Sequence, residues 1–164
     1  MADFAKPPWG ARDPSESADL SARSEPESPE AESLPESGAA APAGEVYDWY
    51  VRGRELLSRG DAAAAVQVLA HTVAAEPSSR SAREMLARAQ FDSRQYAAAA
   101  ENFGVLVERD PSDHYAQFGL GLASHRVGDL AGAVEHLALA SAMRPDLHHY
   151  ARALRSARAA AAFG

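Results

Sequence analysis

From Val46 onward, apolar residues return on a helical period. Val46, Trp49, Tyr50, Gly53, Leu56 and Leu57 follow the i, i+3, i+4, i+7 spacing that builds one helix face. The stripe breaks in the run Ser58 to Asp61, where Gly60 suits a left-handed helix end and Asp61 suits the N-cap of a following helix. A second stripe then runs through Ala62, Ala65, Val66, Leu69 and Val73. Pro77 must end it, because proline lacks the N–H a helix needs and its ring clashes with the preceding turn. Pro111 follows Pro77 by 34 residues, and Pro145 follows Pro111 by 34 more. Three helix breakers in register define a repeat, each unit a helix, a turn and a helix, over 46–79, 80–113 and 114–147.

The register holds for side-chain size as well as for breakers. Small residues recur in the first helix of each unit at Gly53, Ala87 and Gly121, and in the second at Ala65, Ala99 and Ala133. Four residues on stands a large apolar group, Leu69, Phe103 or Leu137. Small positions let two helices approach closely, and the large one fills the space between repeats. With Trp49, Leu86, Leu120 and the three prolines, these residues make the chain resemble the tetratricopeptide repeat family over 46–147. The resemblance implies an all-α fold, a right-handed superhelical array of three hairpins. It departs from the family pattern at Arg52, where a leucine is usual, and at Gln90 and Ser124, where a tyrosine is usual. The middle turn reads Ser93-Arg94-Gln95-Tyr96 in place of a Gly-Asp turn, which predicts that Arg94 is forced into the left-handed region. After Pro145, Leu147, Tyr150, Leu154 and Ala157 form the apolar side of one further helix, predicted over 148–162, with Arg152, Arg155 and Arg158 on its other side. Such a helix covers the last apolar face of an array and shows water a polar one.

Composition separates this array from what precedes it. Residues 1–44 hold seven of the ten prolines and a net charge of −6, against −1 for residues 45–164. Their low hydrophobicity and Pro/Ser/Glu content predict a disordered acidic tail, with Phe4, Trp9, Leu20 and Leu34 its main apolar groups. A near-neutral array argues against non-specific nucleic-acid binding, which draws on a dominant positive field. No cysteine is present, so disulfides and thiolate metal sites are excluded. No apolar run reaches the length of a membrane span, and the N-terminus lacks the apolar core of a secretory signal, so a cytoplasmic protein with no membrane partner is expected. Fifteen of the sixteen basic residues are arginine and alanine is abundant, which points to a GC-rich, bacterial genome.

Candidate chemistry is sparse. Arg59-Gly60-Asp61 reads as a turn rather than an adhesion motif, since Val127-Gly128-Asp129 stands at the same place in the third unit. Gly119 and Gly121 lack the preceding strand and third glycine of a dinucleotide fingerprint. The histidines show no i, i+4 pair that would place two ligands on one helix face. No nucleophile sits in a strained turn and no paired carboxylates share a cleft, so no enzyme activity, cofactor or metal is expected. The first helix of each unit instead projects aromatic, apolar and arginine side chains away from its partner helix: Tyr47, Tyr50, Arg54 and Leu57, then Arg88 and Phe91, then Tyr115, Phe118, Leu122 and Arg126. Glu84, Asp92 and His125 share that side, and Arg83 falls on the far side. In the family this side lines a concave groove that binds an extended peptide or a helix, so the resemblance implies a protein or peptide partner. Family members that hold a C-terminal carboxylate use a Lys, Asn, Asn, Lys, Arg clamp, and the matching positions here are Tyr50, Arg54, Met85, Tyr115 and Gly119. Only Arg54 could contact a carboxylate. The expected function is therefore an adaptor or scaffold without that clamp. A self-associating subunit, a homo-oligomer built through the groove or an array end, is the alternative, and nucleic-acid binding through Arg54, Arg88 and Arg126 a remote one.

Overall fold

The computed structural model describes Trp9 and residues 43–163, and the described residues hold seven α-helices. These are α1 (Ala43–Ser58), α2 (Ala62–Ala75), α3 (Arg80–Asp92), α4 (Tyr96–Arg109), α5 (His114–Val127), α6 (Leu130–Met143) and α7 (His148–Phe163). The chain divides into Met1–Ala41 and Pro42–Gly164, and the helices all belong to the second unit. Helix α1 starts three residues before Val46, inside the stretch read as tail. The disorder expected for the remainder of that stretch lies outside the described residues, except at Trp9, which is buried at 6% exposure.

Each helix packs on its neighbours in the chain, and α1, α3, α5 and α7 also touch one another in sequence. No such contact joins α2, α4 and α6. The first row of helices is therefore drawn together and the second splayed, so the α1–α3–α5–α7 side is the concave one.

The size pattern in the sequence is the packing device. Leu69, Phe103 and Leu137 are 0%, 0% and 1% exposed, at equivalent places in the three units. A Cβ on Gly53 would lie 2.5 Å from Leu69 Cγ, and one on Gly121 would lie 2.7 Å from Leu137 Cγ, so hydrogen is the only side chain these crossings admit. Phe103 points onward instead: a Cβ on Gly119 of the next unit would meet its ring at 2.5 Å. The larger side chain in unit two is matched by a missing one in unit three.

A polar strut repeats on the same period. Arg83 donates through Nη2 to the Pro77 carbonyl at 3.1 Å and through Nη1 to Asn102 Oδ1 at 2.9 Å. Thirty-four residues on, Gln117 Nε2 donates to the Pro111 carbonyl at 3.0 Å, and Gln117 Oε1 accepts from His136 Nδ1 at 2.8 Å. Each strut ties a unit to the proline turn before it, satisfying a carbonyl that proline leaves at the chain reversal. Arg83 is thus half-buried and structural, and burial beside Arg109 lowers its pKa. The next position in the series is Ala151, which has nothing to donate, and there the repeat stops. At the α3–α5 junction, Asp113 caps α5 by accepting from the Tyr115 and Ala116 N–H groups, and accepts from Arg80 at 2.5 Å.

The three turns within units close alike. Asp61, Gln95 and Asp129 donate their N–H to the carbonyls of Leu56, Gln90 and Ser124, and the residue before each has positive φ. That residue is Gly60 at 83°, Arg94 at 66° and Gly128 at 89°. Asp61 and Asp129 then cap the next helix with a side-chain oxygen, whereas Gln95 makes no such bond. The middle turn lacks both favourable residues. Replacing Arg94 by Gly removes a Cβ clash of about 1 kcal/mol, and Gln95→Asp adds a cap of about the same size. The double variant is expected to melt several degrees above the parent in a circular dichroism scan; an unchanged or lower Tm would show that the strain is relieved elsewhere.

The candidate peptide-binding groove

Shifting each position by 34 residues converts the concave row into a ladder. Tyr50 aligns with Glu84, Phe118 and Arg152; Arg54 with Arg88, Leu122 and Ser156; Leu57 with Phe91 and His125; and Ser58 with Asp92 and Arg126. Exposure divides the residues expected on this face. Tyr47 is 49% exposed, and Arg54 and Arg126 are exposed, while Arg88 and Leu122 are half-buried. Tyr50, Phe91, Tyr115 and Phe118 are buried. Leu57 packs beside the first inter-repeat core of Ala65, Leu69, Leu86 and Ala89.

The buried aromatics have identifiable partners. Phe118 stacks on Tyr150 of α7 at 4.1 Å between centroids and takes the edge of His149 at 5.4 Å. Tyr115 meets Phe103 edge-on at 6.5 Å, across the second and third units. Tyr150 is held by His114 Nδ1 at 3.0 Å from its hydroxyl, and Arg144 Nη1 donates to His114 Nε2 at 3.3 Å. With Nε2 accepting, Nδ1 carries the proton and donates to the Tyr150 oxygen. Arg144 is fixed in turn by two bonds to Asp146, whose carboxyl it pulls down to about 2. Helix α7 is therefore seated by a stack and a four-residue polar chain.

Towards the middle of the face, Phe91 and Tyr96 meet edge-to-face at 5.2 Å, and the Arg126 guanidinium lies over both rings, 5.9 Å and 5.4 Å from their centroids. Arg88 reaches Asp92 at 3.9 Å on the same helix. Burial pushes the Tyr50 hydroxyl pKa up, with Arg54 opposing and Glu84 assisting. Burial lowers the His149 pKa, and Arg152 adds to the effect. The face and its continuation on α7 carry six arginines, at 54, 88, 126, 152, 155 and 158, against Glu84 and Asp92. The rest of residues 43–163 carries seven arginines and twelve carboxylates. A nearly neutral array is thus polarised, with the cations on the concave and C-terminal side.

Three members of this face escape a reading confined to the first helices of the three units: Tyr96, His149 and Arg152. The last two lie one further period along the ladder, so the 34-residue shift finds them. Tyr96 opens α4, where the first and third units carry Ala62 and Leu130, and its ring meets Phe91.

The comparisons agree with this architecture. The tetratricopeptide repeat family model matches residues 50–101 and 84–148, and the chain belongs to that family. No curated protein matches the sequence. Among solved structures, the chain is similar to the first TPR of Spaghetti (RPAP3) bound to the HSP90 peptide SRMEEVD, with a TM-score of 0.68, 18% identity, and coverage of 76% of this chain and 99% of that one. The second TPR domain of human RPAP3, in complex with the HSP70 peptide SGPTIEEVD, gives 0.65 and 18% over 72% and 98%. MamA from Desulfovibrio magneticus RS-1 gives 0.63 and 21% over 72% of each chain. Among the described residues, no helix is long and apolar enough to cross a membrane.

Proposed function

We propose that this chain is a non-catalytic protein-interaction module whose concave face binds a peptide segment or helix. The observation that carries the reading is the concentration of arginine and aromatic groups on the concave row, with Tyr47, Arg54 and Arg126 exposed there. Aromatic rings contribute contact area at low entropic cost, and arginines clasp carboxylates with paired hydrogen bonds. A ligand with apolar anchors and acidic flanks fits that chemistry. Glu84 and Asp92 on the same face disfavour an acidic ligand that lacks the anchors.

Two similar structures hold peptides ending in EEVD. At the positions matching the carboxylate clamp, Tyr50 and Tyr115 are buried here and Gly119 has Phe103 where a side chain would start. A different class of peptide is the better fit.

Selection from a displayed library of random twelve-residue peptides on the full chain should return a consensus with apolar and acidic positions. Because Tyr50 and Phe118 are packed, the exposed pair is the cleaner probe. Arg54→Glu with Arg126→Glu should weaken the consensus peptide at least tenfold by fluorescence anisotropy, while Arg94→Glu in the α3–α4 turn should not. A consensus peptide indifferent to the first pair would place binding off the concave face.

A further inference from the structure

We propose that the exposed side of α7 is a second docking surface, one that takes an extended acidic polypeptide segment across Arg152, Arg155 and Arg158. The proposal rests on the groove reading in one respect: Arg152 shares the ladder position of Tyr50, so the surface continues the concave face around the end of the array.

All three arginines are exposed and none has a hydrogen-bond or ion-pair partner among the described residues. This sets them apart from Arg80, Arg88 and Arg144, each of which has a carboxylate within 4 Å. Helix α7 contains no acidic residue at all. Closing an array against further stacking requires only a polar surface, and the opposite end shows a neutral one. There α1 alternates exposed Asp48, Arg52, Glu55 and Arg59, the first three at positions where the later units bear alanine or leucine. Capping therefore accounts for polarity on α7 but not for charge of a single sign. Like charges three residues apart on a helix repel by tenths of a kcal/mol, so the arrangement is mildly unfavourable until an anion arrives.

Arg152 and Arg158 are separated by about 9 Å along the helix, at 1.5 Å per residue. The stripe also turns by about 120° over those six residues, so an extended segment crosses α7 obliquely and reaches both ends with carboxylates about four residues apart. A lipid surface is a poorer occupant, because the apolar face of α7 is already buried through Tyr150, Leu154 and Ala157 and has nothing to insert. Nucleic acid would find three phosphate contacts, few for stable binding at physiological salt.

The test uses the full chain and fluorescein-labelled decaglutamate, with a ten-residue thymidine oligonucleotide as the competing polyanion. Decaglutamate should bind in low salt and weaken steeply as salt rises. Arg152→Glu/Arg155→Glu/Arg158→Glu should weaken it at least tenfold with an unchanged melting curve. Should charge reversal disturb α7, the triple glutamine variant serves, with a loss of at least threefold expected. No binding of decaglutamate, binding undiminished in the α7 variants, or tighter binding of the oligonucleotide would each overturn the proposal. The pair Arg54→Glu/Arg126→Glu reports on the groove separately, through the consensus peptide, so either surface can fail while the other stands.

Discussion

Phe103→Ala should destabilise the array by about 3–5 kcal/mol, the range for deleting a buried phenylalanine ring. Phe103 is 0% exposed, meets Tyr115 edge-on and fills the space above Gly119. The void cannot close by a rotamer change nearby, because Gly119 has no side chain to move into it. In an array each unit is stabilised by its neighbours, so removing the ring at the central junction separates α1–α4 from α5–α7 energetically. The expected result in urea is a lower midpoint and a broader transition, since two halves then unfold with less coupling. Leu69→Ala, at the equivalent place, should cost about 2–5 kcal/mol and act at the junction of the first and second units. A Phe103→Ala variant that unfolds as sharply and as late as the parent would remove this residue from the core.

Gly119→Arg should fail twice over. It installs the last residue of the carboxylate clamp at its matching position, yet the first atom of any side chain there meets the Phe103 ring at 2.5 Å. Relief requires displacing the ring or parting α4 from α5, at a cost of about 1–3 kcal/mol or more. A lowered Tm and no measurable heat on titration with the peptide SRMEEVD are expected. The double variant Gly119→Arg/Phe103→Leu should recover part of the lost stability, because leucine is what units one and three carry at that place. Full stability in the single variant, or tight binding of the peptide, would contradict the packing described.

Much of this arrangement was legible in the residue order. The prolines marked the units, the 34-residue register placed Leu69, Phe103 and Leu137 at buried equivalents, and the missing glycine in the middle turn announced the positive φ of Arg94. These features depend on backbone constraint and side-chain volume, which a single residue type expresses. The division of the concave face was less legible. Phe118 and Leu122 occupy similar helical positions, yet Phe118 is buried against the Tyr150 ring of α7 while Leu122 is half-buried. Arg83 looked like a surface residue on the far side of its helix, and its role depends on a carbonyl in the preceding turn that no pattern of side chains reveals. Exposure on such a face is decided between helices, whereas periodicity reports on one helix at a time.

The contact of Phe103 with Gly119 also bears on how such an array can grow by duplication. Within each strut the side chains belong to one unit and the acceptor is a backbone carbonyl, so these parts travel with any copied segment. The phenylalanine does not travel so freely. Copying residues 80–113 in tandem would set the ring against Met85, the counterpart of Gly119 in that unit, and exchanging the second and third units would set it against Ala153. One ring and one absent side chain thus give the units a fixed order, and any lengthening of the array by whole repeats must be accommodated at some junction other than this one.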